Sequence, residues 1–111
     1  MDNASIIPDL YQTLQARKQA DPSSSYVASL YAKGTDAILK KLAEEAGETL
    51  IAAKNGTREP LIHELADLWF HSLVLMAQQG ISPADINAEL ARRFGRSGLE
   101  EKASRRGKQG S

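Results

Sequence analysis

The chain has 111 residues, enough for one small domain, and its 14 basic side chains are balanced by 14 acidic ones. Because the net charge is zero and no apolar run approaches 18 residues, nothing in the sequence suggests binding to nucleic acid or insertion into a membrane. Cysteine is absent, which excludes disulfides and thiolate metal sites and is consistent with a cytosolic protein.

Apolar residues recur at helical spacing through almost the whole chain and predict a series of helices. The first is expected from Ala4 to Ala20, and a short second one from Tyr26 to Lys33. Thr35 is expected to cap a third helix that runs to about Lys54, and the pair Asn55-Gly56 signals its end. The apolar stripe of this helix should include five positions: Ile38, Leu42, Ala46, Leu50 and Ala53.

Two more helices are expected in the second half of the chain. Thr57 should cap the fourth, which ends at Gly80, and Ser82-Pro83-Ala84-Asp85 resembles a capping box that begins the fifth. The fourth helix has a broad apolar face: Leu61, Leu65, Leu68, Trp69, Ser72, Leu73 and Met76. The fifth should bury a narrower stripe: Ile86, Leu90 and Phe94.

These elements predict an all-α protein, a bundle of four to five helices whose burial is completed by dimerisation. Residues 1–95 are expected to form a single domain. Charged and small residues dominate residues 96–111. This C-terminal tail is therefore expected to be mobile, or to be ordered by a partner or ligand.

Two pairs of acids at helical spacing are the main candidates for chemistry. Glu45 and Glu48 lie on the third helix, Glu64 and Asp67 on the fourth. The members of each pair are separated by about 60° around the helix axis. A turn at Asn55-Gly56 would fold the helices antiparallel and bring the four carboxylates together. Such a group needs a counter-ion, and an all-oxygen shell favours Mg²⁺, or Mn²⁺, over iron or zinc.

Spacing alone leaves a second interpretation open, in which the acids form a solvated face. Lys41 precedes Glu44 by three residues, as in many weak surface ion pairs. Small residues around the acids favour closely packed helices instead. A di-iron bundle would need Glu-x-x-His on two helices, and neither histidine completes that motif. His71 is expected to be an orienting hydrogen-bond partner or an interior residue.

The acids also match a family pattern. Glu44-Glu45-x-x-Glu48, followed after 15 residues by Glu64-x-x-Asp67, resembles the signature of the MazG-like all-α nucleotide pyrophosphatases. Within that superfamily the chain resembles the phosphoribosyl-ATP pyrophosphatases in three stretches: Ser25-Tyr26-x-x-x-Leu30-x-x-x-Gly34, Ile38-Leu39-Lys40-Lys41-Leu42-Ala43-Glu44-Glu45 and Ala66-Asp67-Leu68-x-x-His71. The run from Arg96 to Arg105 is similar to the tail of some members.

The resemblance implies a MazG-like helical dimer, or a tetramer of two dimers, that hydrolyses the α–β phosphoanhydride of phosphoribosyl-ATP. The products would be phosphoribosyl-AMP and pyrophosphate, in the second step of histidine biosynthesis. By match to the motif, four residues would bind Mg²⁺: Glu45, Glu48, Glu64 and Asp67. The chain is too short to include the cyclohydrolase domain that is fused to this one in some organisms, which implies a monofunctional enzyme.

Other polar residues are expected to assist the reaction. Glu44 is the candidate to accept a proton from the attacking water or to orient it, and Lys41 is the candidate to offset charge on the departing phosphates. Substrate contacts are expected from five residues: Ser25, Tyr26, Lys33, Lys40 and Arg93. Structural roles remain open alternatives: a surface ion pair for Glu44, a helix cap for Ser25 and helix-dipole stabilisation for Arg93.

Two other functions also remain open. A nucleoside-triphosphate pyrophosphatase of the same superfamily, with broader specificity, would use the same acids. A helical dimerisation module without catalysis would leave them as a solvated face. Release of pyrophosphate separates the module from the enzymes, and the preferred substrate separates the two enzymes from each other.

Overall fold

The computed structural model describes residues 3–94 of the chain, and the observations below refer to those residues. They form five α-helices and no strand, which confirms the predicted all-α class. The helices are α1, Ile6–Ala16; α2, Tyr26–Lys33; α3, Thr35–Asn55; α4, Arg58–Gln79; and α5, Pro83–Phe94. Among the described residues, no helix is long and apolar enough to cross a membrane.

The first helix is shorter than predicted. α1 stops at Ala16, and short 3-10 turns lie on both sides of it, at Asn3–Ser5 and Arg17–Gln19. The chain then leaves the helical path because Asp21 organises a turn, in which its Oδ1 atom accepts a hydrogen bond from the Ser23 N–H at 3.0 Å. Side-chain bonds of this kind compete with the continuation of a helix.

The other helix boundaries follow local signals. Gly56 ends α3 with a φ of 73°, a conformation that glycine adopts without steric strain. The capping box is confirmed, since the Ser82 N–H donates to Asp85 Oδ2 at 2.8 Å and the Asp85 N–H donates to Ser82 Oγ at 3.2 Å. Thr35 is the first residue of α3 and not its cap, because Gly34, with a φ of 99°, both ends α2 and caps α3.

A hydrophobic core forms where the first four helices meet, within a compact unit that runs through Ile81. Ile38 of α3 and Val74 of α4 are completely buried. The Tyr31 hydroxyl of α2 donates to the carbonyl of Leu14 in α1 at 2.8 Å and ties these two helices together. The buried members of the core are Leu14, Val27, Leu30, Ile38, Leu73, Val74 and Ala77.

The inward face of α3 differs from the predicted stripe. Its buried residues are Ile38, Glu45 and Ala52, spaced by seven. Leu50 is 69% exposed, and Ala53 is exposed as well. The helix carries more apolar residues than one face can hold, so the spacing predicts stripes but does not decide which of them the neighbouring helix covers.

The inward face of α4 is likewise rotated from the prediction. His71, Leu73 and Val74 are buried, whereas Leu65 and Trp69 of the predicted apolar face are exposed, Trp69 by 60%. The same rotation turns the acids of both helices towards each other. The apolar residues that it leaves outside are exposed on α3 and α4.

α5 belongs to a second unit, which begins at Ser82. The predicted burial of its stripe is wrong, since Ile86, Leu90 and Phe94 are all exposed. The described part of this unit, residues 82–94, contains one helix, and a single helix cannot bury its own apolar stripe. The division into a domain over residues 1–95 and a tail over residues 96–111 stays a prediction, and the tail lies outside the described residues.

Candidate metal centre

The candidate site lies between α3 and α4, which run antiparallel. Gln78, near the end of α4, donates from Nε2 to Thr35 Oγ1 at the start of α3, at 2.9 Å. Closer to the connecting turn, the Thr49 hydroxyl lies 2.7 Å from the carbonyl oxygen of Glu45 and 3.3 Å from that of Glu64. Thr49 therefore holds the backbone of two acids on facing helices, a role that was not predicted for it.

Three carboxylates meet at this site. One oxygen from each of Glu45, Glu48 and Glu64 lies within 4.8 Å of the other two. Glu45 is only 9% exposed, Glu64 is half-buried and Glu48 is exposed. Among the described residues, the buried Oε2 atoms of Glu45 and Glu64 have no hydrogen-bond partner. Buried polar atoms are nearly always paired, so these two oxygens are compatible with a site for a divalent metal ion.

Burial and crowding both disfavour ionisation of these acids. Burial raises the pKa of Glu45, and the nearby charges of Glu48 and Asp67 raise it further. Burial likewise raises the pKa of Glu64, and the neighbouring Glu48 carboxylate raises it further. A divalent cation would act in the opposite direction, because a nearby positive charge favours the ionised carboxylate.

Asp67, the fourth predicted ligand, contacts a different partner. Its Oδ2 atom lies 3.3 Å from Nε2 of His63. His63, Glu64 and Asp67 form a second group whose donor atoms lie within 4.8 Å of one another. Glu64 is therefore common to both groups. His63 was not among the predicted site residues, although its spacing of four residues from Asp67 is a signal for such a side-chain pair.

The donor set is compatible with a divalent metal ion. The first group offers only carboxylate oxygens, which Mg²⁺ and Mn²⁺ prefer. Beside it lies an open groove of about 250 Å³, lined by Glu48, Ile51, Ala52, Asn55, Pro60 and Glu64. Since two of the acids form part of this wall, a ligand that bridges to them through a metal has room to extend along the α3–α4 turn.

A hydrogen-bonded pair connects α2 to the acid-bearing helix α4. His71 is 6% exposed, with Nε2 at 2.9 Å from the Tyr26 hydroxyl and Nδ1 at 2.9 Å from the carbonyl oxygen of Asp67. The Phe70 ring meets the imidazole edge to face, with centroids 5.2 Å apart. His71 is thus a satisfied interior residue, hydrogen-bonded through both nitrogens, and a role in orienting a ligand stays a prediction.

The remaining predicted residues all have positions among the described residues. Ser25 caps α2 by accepting a hydrogen bond from the Ala28 N–H at 3.2 Å. Lys41 Nζ lies 3.5 Å from Glu44 Oε2, and this carboxylate raises the pKa of Lys41. Two further lysines are exposed: Lys33 and Lys40.

Arg93 lies on α5 in the second unit. Its Nε donates to Glu89 Oε1 at 2.8 Å. The structural alternatives anticipated the helix cap at Ser25 and the ion pair between Lys41 and Glu44, but not the ion pair of Arg93 with Glu89. The contacts of these residues with a substrate stay predictions.

Similarity to known proteins assigns the chain to a family. The family model for phosphoribosyl-ATP pyrophosphohydrolase matches residues 7–94, a range that contains all the acids described above. The chain belongs to this family. It is 58% identical to the phosphoribosyl-ATP pyrophosphatase of Methylococcus capsulatus over 101 residues, which is 91% of this chain and 96% of that protein.

Two further relatives agree with this assignment. The phosphoribosyl-ATP pyrophosphatase of Chromobacterium violaceum is 55% identical, over 91% of this chain and 94% of its own length. The protein of the same name from Azoarcus sp. is 53% identical, over 96% of this chain and 99% of its own length. The family expected from the acids and their flanking motifs is therefore confirmed.

Proposed function

We propose that this chain hydrolyses the α–β phosphoanhydride of phosphoribosyl-ATP to phosphoribosyl-AMP and pyrophosphate, in histidine biosynthesis. Membership of the family supports the substrate. The observation that carries the chemistry is the group of three carboxylates between α3 and α4, in which two buried oxygens have no hydrogen-bond partner among the described residues. We place the enzyme in the cytosol, which a sequence without cysteine fits.

The proposed cofactor is Mg²⁺, with Mn²⁺ as a substitute. The proposed ligands are the four acids of the family motif: Glu45, Glu48, Glu64 and Asp67. When bound, the ion would neutralise charge on the phosphate oxygens and lower the pKa of an attacking water. The acids suit this role because a bound cation would relieve the repulsion between their crowded oxygens.

Other residues of this chain act on the water and the phosphates. Glu44 is exposed next to the acid group, and it accepts a proton from the water or orients it. Lys41 stays charged, because the Glu44 carboxylate raises its pKa, and it offsets negative charge on the departing pyrophosphate. The proposed substrate contacts are Ser25, Tyr26, Lys33, Lys40 and Arg93.

Pyrophosphate release tests the choice of substrate. With Mg²⁺ as the divalent ion, we expect release from phosphoribosyl-ATP to be faster than release from ATP or other common triphosphates at equal concentration. Faster turnover of a common triphosphate would support the pyrophosphatase of broader specificity. Absence of release from every substrate, with Mg²⁺ or with Mn²⁺, would support the dimerisation module without catalysis.

The substitution Glu48→Gln tests the metal site. Because a bound metal contributes several kcal/mol to transition-state stabilisation, we expect activity to fall about a hundredfold or more, while circular dichroism shows an unchanged helical content. Glu59→Gln is the matched control, since Glu59 is an exposed acid in the first turn of α4, outside both acid groups. Equal activity of the two variants would contradict the assigned site.

We further propose that the enzyme is a homodimer, or a tetramer of two dimers. The support is that six large apolar side chains are exposed on two neighbouring helices, α3 and α4, and clustered apolar exposure is typical of a surface between proteins. These exposed residues are Leu39, Leu50, Ile51, Ile62, Leu65 and Trp69.

Trp69 provides a direct test, because it is the only tryptophan in the chain. We expect its fluorescence emission to shift to the red on dilution, together with a fall in mass by sedimentation. Leu50→Lys should give a monomer with intact helices. Glu59→Lys introduces the same side chain at a polar exposed position, and this variant should stay oligomeric. A wild-type monomer at assay concentration would refute the dimer.

A further inference from the structure

The hydrogen bonds of His71 determine the direction in which the Tyr26 hydroxyl donates. The carbonyl oxygen of Asp67 can only accept, so the Nδ1 atom 2.9 Å from it carries a proton. In the neutral imidazole, Nε2 then offers a lone pair, and the Tyr26 hydroxyl at 2.9 Å donates its single proton to it. The phenol oxygen can therefore offer only lone pairs to any further partner.

This oxygen lies between a buried residue and the protein surface. His71 is buried and Tyr26 is 50% exposed, and their rings meet edge to face with centroids 6.0 Å apart. Burial raises the pKa of the Tyr26 phenol, and the charges of Lys41 and Glu45 act on it as well. Through His71, the Tyr26 hydroxyl is thus connected to the backbone of Asp67, one of the proposed metal ligands.

We infer that Tyr26 accepts a hydrogen bond from a hydroxyl group of the substrate's sugar, and that His71 is the positioning residue that prevents Tyr26 from donating to a phosphate. The inference rests on the proposed function. Ionised phosphate oxygens can only accept, so a tyrosine whose proton is held by His71 cannot hydrogen-bond to them. In a phosphoribosyl nucleotide, the donors closest to the phosphates are the sugar hydroxyls.

The tautomer of His71 can be measured without any substrate. The chain has two histidines, so ¹⁵N labelling of the imidazoles gives two ring systems, and His63→Gln leaves that of His71 alone. We expect a protonated Nδ1 and a bare Nε2 in the neutral ring, and a change at Nε2 in Tyr26→Phe. A proton on Nε2 would overturn the inference. Failure of the proposed function would leave this measurement unchanged, so the two failures are distinguishable.

Kinetics separate a substrate contact from a structural tie. Tyr26→Phe should raise KM for phosphoribosyl-ATP roughly three- to tenfold, the equivalent of one neutral hydrogen bond, with kcat changed less than about twofold. Tyr31→Phe is the matched control, because the Tyr31 hydroxyl also ties α2 to a neighbouring helix but through the carbonyl of Leu14. It should lower the melting temperature and leave KM unchanged. Equal KM values for the two variants would overturn the inference.

Two substitutions of His71 test the positioning role at equal polarity. In His71→Gln the amide reaches the place of Nε2 and its oxygen can accept from Tyr26, whereas in His71→Asn the shorter amide replaces only Nδ1. We expect KM to stay near the wild-type value in His71→Gln and to rise in His71→Asn by the same factor as in Tyr26→Phe. The reverse order would overturn the role of His71.

Analogues of phosphoribosyl-ATP that each lack one sugar hydroxyl identify the donor. For one analogue, we expect the kcat/KM of the wild-type enzyme to be roughly three- to tenfold lower than with phosphoribosyl-ATP. The kcat/KM of Tyr26→Phe should be the same with that analogue as with phosphoribosyl-ATP. Tyr31→Phe should respond to every analogue as the wild type does. If the losses from Tyr26→Phe and from each missing hydroxyl are additive, Tyr26 does not bind a sugar hydroxyl and the inference is overturned.

Discussion

The two halves of the α3–α4 pair differ in the residues on their inward faces, which are apolar in one half and include the acids in the other. In the half that contacts α1 and α2, Ile38 and Val74 are completely buried in an apolar core. One heptad further along α3, towards the connecting turn, the stripe is occupied by Glu45, and Glu64 of α4 faces it. The buried stripe of α3 is thus apolar at Ile38, acidic at Glu45 and apolar again at Ala52.

The two halves make opposite contributions to the stability of the fold. A buried aliphatic side chain contributes about 1.5–3 kcal/mol to folding. A buried carboxylate without a partner opposes folding, because it has lost its hydration and gained no counter-charge. The apolar half therefore holds the acidic half in place, and the proposed metal ion would offset the cost of burying the acids.

The largest effect is expected on activity in the acidic half. Asp67→Asn should lower pyrophosphate release from phosphoribosyl-ATP by about a hundredfold or more, because it removes a charged ligand from the proposed metal site. The fold should survive, since the substitution also relieves repulsion with the other acids. Asp36→Asn, at an exposed acid in the first turn of α3, is the control. Equal rates for the two variants would mean that the acidic half is not the reaction centre.

The second effect is on stability in the apolar half. Ile38→Ala should lower the free energy of unfolding by roughly 2–5 kcal/mol, since it removes a completely buried side chain and leaves a cavity. The neighbouring Leu39 is partly exposed, so Leu39→Ala should cost less than half as much. Urea denaturation measures both. Similar losses would show that α3 is covered equally at both positions, which would contradict the apolar core at Ile38.

Ile38→Ala is expected to lower stability, whereas Glu45→Gln is expected to raise it in the absence of metal. Burial raises the pKa of Glu45 above its ordinary value of 4.5, so the folded chain binds this proton more tightly than the unfolded chain does. Stability is then lost as the pH rises from the ordinary pKa through the raised one. At pH 7 without metal, the variant should therefore be more stable than the wild type.

Addition of Mg²⁺ should invert this order. A ligand that binds only the folded chain stabilises it by about 2.7 kcal/mol at a hundred times its Kd. The wild type should therefore gain stability with Mg²⁺, and Glu45→Gln should gain less. Thermal melts in EDTA and in Mg²⁺ measure the difference. A wild type that is indifferent to Mg²⁺ and to Mn²⁺ would refute the metal site, whatever the stability of the variant.

The positions of the helices could be predicted because the chain marks them locally. Gly56 and Gly80 end α3 and α4 with positive φ, and the bonds between Ser82 and Asp85 begin α5. The rotation of each helix could not be predicted, because it depends on which neighbour covers which face. Leu50 fits an apolar stripe as well as Ile38 does, and only tertiary packing turns it outwards.

The same distinction applies to the candidate site. The proximity of Glu45, Glu48 and Glu64 follows from spacing and one turn, both of which are visible in the sequence. The contact of Asp67 with His63, and that of Tyr26 with His71, depend on side-chain conformations chosen among competing partners. Sequence spacing therefore locates the acids but does not settle which atoms they contact.

The smallest effect is expected at a glutamate whose environment is the opposite of that of Glu45. Glu89 of α5 is surrounded by cations, since its Oε1 accepts from Arg92 Nη2 at 2.6 Å and from Arg93 Nε at 2.8 Å. These bonds lower its pKa to about 2. Its contribution to stability is therefore present above its ordinary pKa of 4.5 and is lost as the pH falls towards 2.

Glu89→Gln should consequently weaken α5 only slightly at pH 7. Exposed ion pairs on one helix contribute little, so the hydrogen-exchange protection of α5 amides should fall by a factor of about two at most. At pH 2.5 the difference in α5 protection between variant and wild type should be smaller. The amides of the acids between α3 and α4 should have the same protection in both proteins at either pH. A large loss of protection at pH 7 would mean that an exposed carboxylate can stabilise this chain as strongly as its apolar core does. The contrast between the paired surface charge of Glu89 and the unpaired buried charge of Glu45 would then no longer hold.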